Sequence, residues 1–290
     1  MRLTKVLKKR LKSIFEKLAY KHFYKDFRED LILENIDGVK IQTTFDTLNE
    51  IENCIKLNQR GAYLRFGDGD VYLLNKKHDS YQNANESLAK EMLEAFQIND
   101  TCVFKSLAIH SDKFGYEEGM FDGNHKNTQE LSISLLKSTY MFFIGQKIYS
   151  PVALHFTATQ NPIRANSFLK LLKSKTKLFI GNKELDESVI KILFGSCIHV
   201  KTPPKDAYSD IESIYTESKS EIEQFNSFAV VVVAMGCSGR ALMKRLFLSN
   251  NFNIFLFDFG SLIDGFNDVN SRTWLKVNTI DYKRLTEDLI

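Results

Sequence analysis

The chain has 290 residues, 43% hydrophobic and 26% charged, which is ordinary globular usage; it supplies enough apolar surface for a sizeable core and excludes a disordered chain. Its formal charge of +3 is unevenly spread, because residues 1–25 hold nine Lys and Arg against one acid, Glu16, leaving 30 basic and 35 acidic residues elsewhere. Basic character therefore belongs to the N-terminal segment alone.

In that segment Leu3, Val6, Leu7, Leu11, Ile14, Phe15 and Leu18 recur at helical spacing with lysines between them, which predicts a basic amphipathic helix. Such a helix either lies on an anionic membrane surface, as a peripheral anchor at the inner membrane face, or packs on the domain with a solvated lysine face. No aromatic-basic interleaving or nucleic-acid module follows it, so no nucleic-acid partner is expected. Residues 1–36 are read as this helical extension and 37–290 as one main domain, since no Pro/Gly/Ser-rich linker, repeat or low-complexity tract divides the rest.

Beyond residue 37 short apolar runs alternate with amphipathic stretches, the pattern of an α/β domain with a mainly parallel sheet flanked by helices. A helix is expected over Phe45–Asn58 and a strand over Tyr63–Phe66. That strand runs into Arg65-Phe66-Gly67-Asp68-Gly69-Asp70, where Gly67 and Gly69 let the backbone turn and approach a ligand. Held on a loop, Asp68 and Asp70 can present hard oxygens to Mn²⁺ or Mg²⁺, whose remaining positions go to water and substrate phosphates; Arg65 can add a bidentate phosphate contact. An acid-Gly-acid triplet also occurs as a plain surface turn.

A helix over Glu86–Phe96, strands over Cys102–Ile109 and Met141–Ile144, and helices over Thr128–Lys137 and Pro162–Leu172 come next. His110 and His155 lie at or after these elements and are read as hydrogen-bonded structural residues, whereas Arg164 is a candidate phosphate clamp. A strand over Lys177–Ile180, a helix over Leu185–Phe194 and a strand over Ile198–Lys201 lead to Pro203-Pro204-Lys205-Asp206-Ala207-Tyr208. There the prolines stiffen the strand exit, Lys205 can meet a phosphate, and Asp206 can cap the helix expected over Ala207–Phe225. The buried strand Ala229–Ala234 runs through Gly236-Cys237-Ser238-Gly239-Arg240 into a helix over Ser238–Leu248. Gly236 and Ser238 there open a helix N-terminus suited to an anion, without a dinucleotide fingerprint or a Walker lysine. After the strand Asn253–Phe257, Asp258 and Asp264 are candidate general bases for an acceptor hydroxyl, or simply partners of backbone groups or an arginine.

Cys54, Cys102, Cys197 and Cys237 form no C-x-x-C pair, so neither a zinc knuckle nor a disulfide framework is expected and a reducing cytoplasm fits. No apolar run reaches bilayer-spanning length, and the N-terminus lacks the apolar core of a signal peptide.

Arg65-Phe66-Gly67-Asp68-Gly69-Asp70 resembles the opening motif of the GT-D glycosyltransferases, a former domain of unknown function carrying R-F-G-D-G-E with an essential D-x-E. Asp70 stands where that family commonly has Glu. Lys177–Asn182 with Pro203–Tyr208 resembles the family's E-G strand end and its P-x-x-N-A-(F/Y) loop, with Asn182 replacing the acid and Asp206 the Asn. Val230–Arg240 and Phe257-Asp258-Phe259-Gly260-Ser261 resemble its G-x-x-A and D-I-G-H units, with Ser261 in place of His. The resemblance spans roughly residues 60–268 and implies a Rossmann-like GT-D fold and metal-dependent hexosyl transfer. It implies a nucleotide-sugar donor, a UDP-sugar foremost, held by Arg65, Gly67, Gly69, Pro204, Lys205, Asp206, Gly236 and Ser238. The implied acceptor is a glycan under assembly in surface polysaccharide, lipid-linked oligosaccharide or glycoprotein synthesis. A nucleotidyltransferase or phosphohydrolase, and an inactive membrane-associated binding subunit, are the alternative readings.

Overall fold

The computed structural model describes residues 38–109, 111–114, 129–249, 252–268, 271–272, 274–275, 278 and 280–289. The N-terminal helix expected over residues 3–18 and His110 lie outside them.

In chain order the elements are β1 (Lys40–Ile41), α1 (Thr44–Lys56), β2 (Gly61–Leu64), α2 (Asp68–Leu74), α3 (Glu86–Phe96), β3 (Val103–Lys105), α4 (Gln129–Thr139) and β4 (Lys147–Ile148). Then follow α5 (Ala153–Gln160), α6 (Pro162–Ser174), β5 (Thr176–Asn182), α7 (Glu187–Phe194), β6 (Ile198–Thr202), α8 (Ile211–Glu223), β7 (Ala229–Ala234), α9 (Ser238–Ser249), β8 (Ile254–Asp258), α10 (Leu262–Asn267) and α11 (Tyr282–Leu285). Six strands form one sheet in the order β3-β2-β8-β7-β5-β6, every pairing parallel. β1 and β4 make a separate parallel pair, as the expected α/β class requires only of the main sheet.

Successive strand side chains point to opposite faces, and here the alternation sorts them by shape. Tyr63, Phe257, Val232 and Phe179 stand in register across β2, β8, β7 and β5 on one face, with α1, α5, α6 and α7 packed over them. Their aliphatic neighbours Leu64, Leu256, Val231 and Ile180 face α3, α8 and α9. Each such side chain contributes roughly 1.5–3 kcal/mol by burial, so the sheet is specified on both sides. Most of the largest fully buried side chains are phenylalanines.

Three local expectations are corrected. Met141–Ile144 is not a strand, because Tyr140–Phe143 forms a 3₁₀ turn with only Phe143 buried, edge-on to Phe96, while Met141 and Ile144 are exposed. A four-residue apolar run carries no period that separates the two forms. The strand expected over Cys102–Ile109 is three residues long. Cys54 and Cys102, 48 positions apart, are joined as a disulfide where α1 packs beside the start of β3, with Cα atoms 6.5 Å apart. Cysteine spacing therefore no longer argues for a reducing compartment. Among the described residues no helix is long and apolar enough to cross a membrane.

Candidate functional site

The carboxyl ends of β2, β8, β7, β5 and β6 open on one side of the sheet, where ligands bind in parallel α/β folds. Two adjoining lobes of about 320 Å³ and 480 Å³ lie there. The smaller is lined by Asp68, Asp70, Asp79, Asp258 and Asp264, with Arg65 and Arg240. The larger is walled by Asn182, Thr202, Pro203, Pro204, Lys205 and Met235. Tyr81, Gly236, Cys237, Asp264 and Arg272 line both.

Asp68-Gly69-Asp70 is not a loop, as expected from its glycines, but the first turn of α2. Gly67 is the N-cap, and Asp70 at the third helical position accepts from the Gly67 N–H at 2.7 Å. Side chains two apart in a helix diverge by about 200°. Asp68 therefore lines the cleft while Asp70 turns inward, 1% exposed.

Inward lies Arg240, from the first turn of α9. It donates to Asp70 Oδ2 at 3.0 Å and, with its other terminal nitrogen, to Asp258 Oδ2. Asp258 Oδ1 accepts from the Gly260 N–H at 2.8 Å. This buried Asp70–Arg240–Asp258 group joins the ends of β2, β7 and β8 and carries one net negative charge. Burial pushes Asp70 up to about 6 against the opposing pull of Arg240 and of the Gly67 hydrogen bond. The second Asp70 oxygen, Oδ1, is buried without a hydrogen-bond partner. Burial, and then the charge of Asp70, raise the Cys237 thiol, so it is no thiolate nucleophile.

Gly260 has φ +63°, a left-handed conformation, and a Cβ there would strike the Arg65 guanidinium and the His155 ring. Arg65 donates to the Pro151 carbonyl and lines the acidic lobe. His155 is buried against Trp274, and desolvation with the nearby Arg65 charge holds it neutral. It is packed as a core residue, but the hydrogen bond expected of it is absent at Nε2.

The other predicted residues divide. Gly67, Gly69 and Gly236 line the acidic lobe, and Pro204 and Lys205 the larger one. Asp206 stands at the N-cap of the 3₁₀ turn Ala207–Asp210 but its side chain does not cap it: at φ +51° it turns its carboxylate to Asn83, accepting from the backbone N–H and the side-chain amide at 2.6 Å each, and to Gln82. It clamps residues 79–84 to the Pro203–Lys205 loop. Ser238 lies beneath, donating to Gln82 Oε1 at 2.6 Å. Arg164 is spent on Glu52 and Asn49, away from both lobes. Residues not foreseen are Arg240, Arg272, Tyr81, Asp79 and Trp274. Only Arg240 had a local signal, its place in the glycine turn.

The small lobe fits a divalent ion of the Mg²⁺ or Mn²⁺ kind, though not a closed cage. Among the described residues no three His, Cys, Asp or Glu side chains converge as a metal site. Such ions need only one or two carboxylates when substrate phosphate completes the shell. The net negative charge, the orphaned Asp70 Oδ1 and the adjoining Asp68 meet that need.

The architecture is that of the open parallel α/β proteins, which bind ligands in the crevice at the strand ends. The chain belongs to the family described as glycosyltransferase GT-D fold, which matches residues 63–284, and it is a glycosyltransferase. It is similar to a selenomethionine-substituted domain of unknown function 1792, with 17% identity, covering 89% of this chain and 93% of that one at a TM-score of 0.59. A new glycosyltransferase from Streptococcus sanguinis is similar at 15% identity, 86% and 93% coverage and a TM-score of 0.59. A third, a domain of unknown function 1792 with a distinct glycosyltransferase fold, gives 17%, 88% and 91%, and 0.58. At these identities the likeness concerns the fold. No curated protein matches the chain.

Proposed function

We propose that this glycosyltransferase moves a hexose from a nucleoside diphosphate-sugar, UDP-hexose foremost, to a glycan acceptor in surface polysaccharide, lipid-linked oligosaccharide or glycoprotein glycan synthesis, with Mn²⁺ or Mg²⁺ as cofactor. The observation that carries this reading is the two-lobed cleft, an acid-lined lobe opening directly into one large enough for a nucleoside. Asp68 and Asp70 Oδ1 would hold the ion, which when bound supplies a Lewis acid for the charge that develops on the departing diphosphate. Lys205 stands in the larger lobe for the nucleotide, and Gly236, with φ +61° and open space at its Cα, leaves the end of β7 open to it. Arg65 faces the small lobe, where the sugar would lie.

Of the two acids considered as base, Asp258 has both oxygens committed to Arg240 and Gly260. Asp264 gives one oxygen to Arg272 and faces both lobes, so it is the better placed to take a proton from the acceptor hydroxyl in an inverting transfer. Asp258, with Oδ2 of Asp70, holds Arg240, and with it the strand ends, in place.

A panel of nucleotide-sugars tested for metal-dependent hydrolysis and transfer decides this. Release of nucleoside diphosphate from one donor, abolished by EDTA and restored by Mn²⁺ or Mg²⁺, is expected. Release of pyrophosphate would mean nucleotidyl transfer, and activity indifferent to EDTA would remove the ion.

We further propose that the basic segment 1–25 holds the enzyme at an anionic membrane surface on the cytoplasmic side. Each basic residue near such a surface adds about 1 kcal/mol. Deleting it is expected to weaken binding to anionic vesicles while donor hydrolysis persists, and unchanged vesicle binding would reject the role.

A further inference from the structure

We infer that Arg272 is the diphosphate-reading residue of the cleft, a fork fixed at the boundary of the two lobes so as to select a nucleoside diphosphate over a monophosphate or nucleoside. The inference rests on the donor-site reading above and adds a residue and a specificity to it.

Arg272 is held on two sides. Its Nε donates to Asp264 Oδ2 at 2.7 Å, and its guanidinium lies 3.7 Å over the Tyr81 ring. Tyr81 is itself fixed: its N–H donates to Asp79 Oδ2 at 3.0 Å, and its carbonyl accepts from the Asp206 N–H at 2.8 Å. The segments carrying Asp79, Asp206 and Asp264 thus meet on one guanidinium.

The plane and one edge of Arg272 are therefore set before any ligand arrives. Its two terminal nitrogens make no hydrogen bond to a described residue, and the side chain keeps 28% of its surface exposed at the shared wall of the lobes. A diphosphate joining a nucleoside in the large lobe to a sugar in the small one must cross that wall. A planar pair of N–H donors matches two phosphate oxygens where an ammonium offers only a point charge. Of the other arginines of the lobe, Arg240 is committed to two aspartates, and Arg65, held through Nε to Pro151, lines the small lobe alone and does not reach the shared wall. A stacked and anchored arginine also loses less side-chain freedom on binding than a free one.

Binding of inorganic pyrophosphate, UDP and uridine, each with Mn²⁺, is measured by calorimetry for the full chain, Arg272→Gln and Arg272→Lys. Loss of a charged, two-pronged contact is expected to weaken pyrophosphate and UDP by about 10–100-fold in Arg272→Gln and leave uridine unchanged. Arg272→Lys should recover only part of that loss. Pyrophosphate affinity within about threefold of wild type in Arg272→Gln overturns the inference. So does wild type that binds no pyrophosphate, or uridine binding that falls as far as UDP, since that marks a structural defect. If Arg272→Gln does not fold, Arg272→Lys decides: unchanged pyrophosphate binding overturns the fork, and a clear loss supports it. Wild type that binds pyrophosphate through Arg272 yet turns over no nucleotide-sugar would sink the donor reading and leave this one standing.

Discussion

Asp68 and Asp70 are chemically alike and two positions apart, yet their surroundings assign them different work. Asp68 faces the cleft, so Asp68→Asn removes charge without opening the core. It is expected to lower kcat by more than about a hundredfold, as loss of the proposed metal ligand requires, with a smaller fall in melting temperature than Asp70→Asn. Asp70→Asn also strips a buried arginine of one of its two carboxylates, which typically costs about 3–5 kcal/mol. At roughly 2–4 °C per kcal/mol for a chain of this size, its melting temperature should fall by about ten degrees as activity is lost. Equal melting temperatures for the two variants, read by calorimetry, would mean that Asp70 and Arg240 are not the locked pair described. The D-x-D spelling was legible in the sequence. Its division into an outward and an inward acid was not, because that depends on a partner 170 residues away.

At the scale of elements, the strand cores were readable and the turns between them less so. β5, β7 and β8 were foreseen within two residues at either end because buried parallel strands are continuous apolar runs. α2 was missed because its opening glycines argue for a loop, and only the Asp70 carboxylate capping Gly67 reveals the helix. Gly61 in β2 shows how tightly these elements meet: a Cβ there would fall on the Cys102 carbonyl and lie 2.9 Å from the Phe255 ring. Alanine ordinarily gains about 0.5–1 kcal/mol over glycine inside a strand. Overpacking against backbone costs about 1–3 kcal/mol and outweighs it. Gly61→Ala should therefore lower the denaturant midpoint, and a raised midpoint would show that β3 can move away from β2.

Across the whole molecule, α3 and α9 are tied to the turn before α8 by a cluster around Glu91, which accepts from Arg245 at 2.7 Å and 2.8 Å and from Tyr208 at 2.7 Å, with Lys244 at 3.0 Å. Burial alone would raise the Glu91 carboxyl, but these hydrogen bonds outweigh it and bring it down to about 2. A carboxylate depressed in the folded state stabilises it fully above its ordinary value near 4.5, and that stability is lost as pH falls through about 2. Glu91→Gln is expected to cost about 2 kcal/mol at neutral pH and to flatten the fall in stability between pH 4.5 and 2. An acid-unfolding curve parallel to wild type would show that Glu91 is not a source of that fall.

What the sequence determined by itself is local: alternating apolar runs and amphipathic stretches specify a parallel α/β chain, and R-F-G-D-G-D with the glycine turn marks strand ends that line the cleft. Those signals lie within a few residues of one another, where periodicity and backbone chemistry act directly. Only the tertiary structure decided that Asp70 and Asp258 share Arg240, that Asp206 clamps a loop 123 residues away, that Cys54 meets Cys102, and that Arg272 stands between the lobes. Each of these depends on which strands become neighbours, and the order β3-β2-β8-β7-β5-β6 is a property of packing that no single segment of the chain carries.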